Sequence, residues 1–239
     1  MRTANSLASD RARRAGICSA TESADSRLGR CVLRIVVLVM PALVAGCSAL
    51  PSPKIEEPVL HVLDARPAIP RAPVTRDVVL EVGVPRAAPG FDTTALLYVQ
   101  KPFVLDAFAT HRWADAPAHM IGPPLMRALE QTGYFRALMP APAGVPADLR
   151  LDTELIRLQQ NFTTRPSRVE LSLRFRLLDL RARRVVGARL VDVDVDAPSD
   201  NPDGGVVAAN TALANALAQA VAFAVAAAED VPPEAAAKP

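Results

Sequence analysis

The chain has 239 residues, half of them hydrophobic and 22 % charged, which is enough for one globular domain with its own core. Its 22 prolines require several irregular loops. The net charge is +2, but residues 1–46 carry seven arginines and three acids, and without them 20 basic residues face 22 acidic ones, a net of −2. A domain this close to neutral has no broad basic field, which argues against nucleic acid as a partner.

The first readable element is an export signal. Arg30 and Arg34 precede a short apolar run from Ile35 to Val44, and the small residues Ala45 and Gly46 then lead to Cys47. A charged start, an apolar middle and a small-residue end make a secretory signal. The apolar run is about ten residues, too short for a bilayer span of about 20. The ending Leu43-Val44-Ala45-Gly46-Cys47 resembles the lipobox of bacterial lipoproteins, so cleavage is expected before Cys47 and lipidation on its thiol. A signal-anchor helix with a chance cysteine is the rival reading, and so short a run anchors poorly. That resemblance also implies Ser48 as the second mature residue, which usually permits transfer to the outer membrane. Of the three cysteines, Cys18 and Cys31 would be lost with the signal, leaving no partner for a disulfide. Residues 1–31 are long and polar for a signal start; either the leader is extended or translation begins later, with Val32 as a candidate.

Residues 47–58 read as a lipidated tether with prolines at 51, 53 and 58. A globular domain is expected over 59–228. Strands are expected at 59–63 and 78–84, the latter with Val78, Leu80, Val82 and Val84 on one face. Two short pieces follow at 96–100 and 103–108, parted by Lys101-Pro102. A helix is expected within 116–132, with Asp115 as N-cap and Gly133 as its stop. Gly122-Pro123-Pro124 would either kink that helix or restart it near Pro123. Strict alternation then marks strands at 149–155, 169–177 and 191–195, with 180–184 as a turn. The last element is an Ala-rich helix from about 202 to 228, with Leu213, Leu217, Val221 and Ala224 as its buried stripe. Residues 206–228 carry no charge, yet packing on a sheet is favoured over a membrane span because Ala contributes little to insertion. Residues 229–239 read as a mobile Pro/Ala tail. The expected fold class is α+β: two layers, a mainly antiparallel sheet with two helices packed on one face.

No catalytic constellation or cofactor fingerprint stands out, and an enzyme is not expected. Of the histidines His61, His111 and His119, the last two lie eight apart, which does not place two ligands on one helical face, and both read as surface or loop residues. Asp192, Asp194 and Asp196 mimic the start of a calcium loop. Ala197 stands where that loop needs Gly and Asp203 where it needs Glu, so the outer face of a strand fits better. Trp113, the one tryptophan, reads as a core cap beside a helix start rather than the wall of a ligand groove. Metal sites are therefore not expected.

From Leu60 onward the chain resembles the ABC-type transport auxiliary lipoprotein component family, the PqiC-like group. The resemblance rests on Leu97-Tyr98, the stretch Ala107-Phe108-Ala109-Thr110-His111-Arg112-Trp113-Ala114-Asp115-Ala116-Pro117, and Leu125, Leu129 and Gly133-Tyr134-Phe135, followed by Leu-rich strands and an Ala-rich helix. It covers residues 59–228, and Gly122-Pro123-Pro124 departs from the usual unbroken helix. It implies an auxiliary subunit of an MCE-type ABC lipid transport system. Such a protein is lipid-anchored on the periplasmic face of the outer membrane, docks an MCE-domain periplasmic protein, and can form a homo-oligomer. The alternatives are a structural lipoprotein of another envelope assembly or secretion complex, and a periplasmic lipid carrier.

Overall fold

A computed structural model describes residues 57–232. The segment read as an export signal, Cys47, the expected tether up to residue 56 and residues 233–239 lie outside the described residues.

The spine of the fold is the strand β7 (Leu149–Asn161), because three separate segments pair with one of its edges. Along that edge, all parallel to it, lie β2 (Arg76–Val82), the two-residue β3 (Arg86–Ala87) and β4 (Ala95–Lys101). Two strands extend the β4 side: β5 (Val104–Trp113), antiparallel to β4, and β1 (Val59–His61), parallel to β5. On the β2 side, β6 (Phe135–Pro140) ends the sheet. The other edge of β7 carries a long antiparallel meander through β8 (Arg168–Asp179) and β9 (Arg184–Asp196). The longest ladders are antiparallel, and the two helices, α1 (Pro117–Thr132) and α2 (Pro202–Glu229), pack on one face of the nine-stranded sheet. The α+β expectation holds, with short parallel ladders added where β7 receives β2, β3 and β4.

Alternation explains which face is buried. Leu149, Leu151, Thr153 and Leu155 of β7 point into the core, as do Leu171, Leu173, Phe175 and Leu177 of β8. A bulge between Leu155 and Arg157 inserts one residue, so Leu158 and Gln160 stay inward although their parity has changed. The bulge carries β7 six residues beyond the expected end at 155. The strand expected at 78–84 is found two residues earlier. Gly83 donates its N–H to Leu151 O at 2.9 Å, and Val84 beyond it is exposed rather than on the buried face.

The first helix is one continuous element despite Pro123 and Pro124 in its interior. It begins with Pro117 after Ala116, while Asp115 accepts a bond from the Ala116 N–H instead of capping the first turn. Gly133 ends it in the left-handed conformation (φ 60°), donating to Glu130 O.

The second helix opens on Asn201, whose side chain accepts from the Gly204 N–H. It is long and apolar enough to cross a bilayer, yet it packs on β8 and β9. Ala208, Ala212, Ala216, Ala220, Ala224 and Ala228 form one buried row at helical spacing, and Ala209, Leu213, Leu217 and Val221 form its neighbour. Small side chains in the first row let the helix axis approach the sheet, while each fully buried Leu contributes about 1.5–3 kcal/mol. The helix end is tied down, since the Arg76 guanidinium donates to Ala228 O and, at 2.6 Å, to Val231 O. Val231, in the segment read as tail, is buried.

Candidate functional site

Three surfaces carry chemistry. The first lies where β1 meets β5. The parallel register sets Val59 beside His111 and His61 beside Trp113, so the two histidines share one face, two positions apart. His61 Nε2 and His111 Nδ1 are 2.9 Å apart, the ring centroids 5.2 Å apart, and the ring planes differ by 8°. These values place the rings edge to edge, with one N–H aimed at the other ring's lone pair. Asp203, in the first turn of α2, puts Oδ1 3.9 Å from His61 Nε2 and is largely exposed. Two imidazoles and a carboxylate within 4.8 Å are a donor set that zinc-like ions take. A cation, however, needs lone pairs converging on one point, and the in-line hydrogen bond occupies both nitrogens. The arrangement is a hydrogen-bonded histidine pair in which the tautomers decide which ring donates. Burial pushes the His61 pKa down, His111 pushes the same way, and Asp203 opposes them. Spacing along the chain could not reveal a pair 50 residues apart. His119, the histidine weighed with His111, instead sits on α1 with Nδ1 3.3 Å from Asp115.

The second surface is an open groove of roughly 430 Å³ between α1 and the end of the sheet, lined by Val82, Pro85, Gly122, Pro123, Met126 and Leu138. A more polar groove of roughly 530 Å³ adjoins it, with Glu81, Arg86, Asp92, His119 and Arg150 on its walls. Pro123 and Pro124 have no N–H, so the carbonyls of His119 and Met120 lose their usual helical donors. Beside this seam β6 pairs only with β2, which leaves its outer edge unpaired among the described residues. An apolar groove beside an open strand edge suits a docked peptide segment.

The third surface is the wet face of the sheet. Here Glu154 meets Arg174 at 2.9 Å, Arg150 meets Asp152 at 2.8 Å, and Gln159 donates to Glu170 at 2.9 Å. The acids weighed as a calcium loop lie apart. Asp192, Asp194 and Asp196 lie exposed along β9, opposite Ser172, Glu170 and Arg168. Asp200 accepts the Ser167 N–H at 2.6 Å, which holds its carboxyl below the usual range, and Asp203 belongs to the histidine corner. Trp113 is buried at the end of β5, four residues ahead of α1, the core position expected for it.

A family model described as "ABC-type transport auxiliary lipoprotein component" matches residues 61–222. The chain belongs to that family. The family is one of transport auxiliary lipoproteins, not of enzymes. Among solved structures, a Xanthomonas campestris protein of the DUF330 family superposes with a TM-score of 0.65 at 20 % identity, over 72 % of this chain and 97 % of that one. An uncharacterized protein superposes with a TM-score of 0.54 at 14 % identity, over 72 % of this chain and 98 % of that one. At these identities the likeness is one of fold. No curated protein matches the chain. The matched span of this transport auxiliary lipoprotein runs from His61 in β1 to within α2, so all three surfaces fall inside the family domain or at its border.

Proposed function

We propose that the protein is cut before Cys47, acylated there, and held on the periplasmic face of the outer membrane, where it docks an MCE-domain protein of an ABC lipid transport system. The observation that carries this reading is the combination of a transport-auxiliary domain over 61–222 with a lipobox-like segment ending at Cys47. Two or three acyl chains anchor stably, at about 0.8 kcal/mol per buried methylene. The packing of the domain supports a docking part over a lipid carrier. The seam between α2 and the sheet is filled by buried Ala and Leu side chains, and the larger cavities are grooves open to solvent. The open β6 edge and the groove beside α1 offer a surface for the bridge protein.

A mild-detergent pull-down of the full chain, run beside a Cys47→Ser control, tests this. Recovery of an MCE-domain protein and an ABC permease, weaker in the control, is the expected result. Absence of both after chemical crosslinking contradicts the transporter assignment and leaves the docking partner to another envelope assembly.

A further inference from the structure

The tip of the β4–β5 hairpin stands clear of the sheet. Strand β4 pairs with β7 only at Tyr98 and Val99, and every residue from Gln100 to Ala107 is exposed. Soluble hairpin tips are ordinarily polar, but this one reads Lys101-Pro102-Phe103-Val104-Leu105. Phe103 is fully exposed (105 %), and Val104 and Leu105 are exposed by 43 % and 42 %. Phe103 also holds φ 66°, the left-handed region that a turn with Pro102 before it normally gives to Gly or Asn. A bulky aromatic held in a strained conformation and packed on nothing points to a contact made outside the domain. At its base the hairpin is stiffened by rings: Tyr98 and Phe108 lie 4.4 Å apart, and Phe162 lies 5.9 Å from Tyr98.

The direction of the chain says what that contact is. Strand β1 runs parallel to β5 with Val59 beside His111, so the backbone entering Val59 comes from the side of the hairpin tip. From His111 back to Val104 is seven residues, about 23 Å at 3.3 Å each. From Cys47 to Val59 is twelve residues, a reach of up to about 40 Å. The anchor cysteine can therefore lie in the plane that the tip reaches, on the same side of the domain.

We infer that the Phe103–Leu105 tip inserts into the interface of the lipid bilayer that holds Cys47. It is a second membrane contact, and it fixes the orientation of the domain. The apolar triplet enters the acyl boundary, and Lys101 lies at headgroup level, where its charge stays hydrated or meets an anionic lipid. The docking surfaces at α1 and β6 are then presented in a defined direction instead of swivelling on a tether.

This inference rests on Cys47 being the anchor, and the test separates the two. The full chain carrying Phe103→Trp is expressed, its mature form reconstituted in phosphatidylethanolamine–phosphatidylglycerol vesicles, and its mass and fluorescence recorded. Trp113 is buried and supplies a constant background, read from the wild type. The expected result is an acylated Cys47 and a blue-shifted emission from the introduced indole, which brominated acyl chains quench and aqueous iodide does not. An acylated Cys47 with the introduced indole open to iodide overturns the insertion and leaves the anchor standing. An unmodified Cys47 overturns both. Emission already blue-shifted before vesicles are added, in a sample that sediments as an oligomer, assigns the tip to a second copy of the chain and overturns the insertion.

Discussion

Among the described residues Phe175 is the largest fully buried side chain, in the middle of β8 and paired on both sides. Phe175→Ala should cost about 3–5 kcal/mol, read as a lower urea midpoint with an unchanged slope. His61 makes a prediction of another kind. Its folded pKa lies below the ordinary 6.5 because burial disfavours the charged ring. Well above pH 6.5 neither the folded nor the unfolded protein is charged at this site, and it contributes no pH dependence there. As pH falls through that value the unfolded chain takes up the proton first, so the fold loses stability. Urea melts between about pH 7.5 and 5.5 should show a smaller loss for His61→Gln than for the wild type, and equal losses would contradict this assignment. The groups facing His61 are His111 from β5 and Asp203 from α2, and the carboxylate opposes the shift. Neither partner was legible in the sequence, because the register of β1 on β5 and the placement of α2 are contacts between distant segments. The same limit held for Asp192, Asp194 and Asp196, but there strict alternation with Val already pointed to a wet strand face.

The two helices carry opposite lessons. In α1, Pro123 is exposed and removes the N–H that His119 O would otherwise accept. Pro123→Ala should raise stability by roughly 1–3 kcal/mol in thermal or urea unfolding. Pro124 is buried and should gain less or nothing, since truncation there also leaves a void. In α2 the start is fixed by Asn201, and Asn201→Ala should cost about 0.5–2 kcal/mol through the lost bond to the Gly204 N–H. Gly205 has the Gln160 amide where a Cβ would stand, so Gly205→Ala should cost about 1–3 kcal/mol unless that buried amide moves. The Ala-rich periodicity announced α2, and the alternating Leu and Val runs announced β7, β8 and β9, because each buries one face at its own period. The continuity of α1 through two prolines was not readable. Tertiary packing of Ile121, Leu125 and Leu129 holds a helix that local propensity alone would break. The six added residues of β7 were hidden by the bulge, which reverses the parity that marks a strand. The parallel ladders of β2, β3 and β4 on β7 leave no local signature at all.

For the whole molecule, the described domain and the chain before it have separate tasks. Residues 57–232 supply a sheet with two helices on one face, an open strand edge and an exposed apolar hairpin. The proposed lipid on Cys47 supplies the location. Strand β1 enters the sheet from the side of the hairpin tip. The order of strands was not legible beforehand, but the class of fold and the family were, because the family's segment around Trp113 lies on β5 and the first turn of α1, where both meet the core. The proposed arrangement has this transport auxiliary domain working from a membrane to which Cys47 ties it. Its most direct test is the intact mass of the protein extracted from membranes separated on a density gradient. The expected species is a chain beginning at Cys47, carrying a diacylglycerol and an amide-linked acyl chain, in the outer-membrane fraction. A chain that retains residues before Cys47, or an unmodified Cys47 in the soluble fraction, would contradict it.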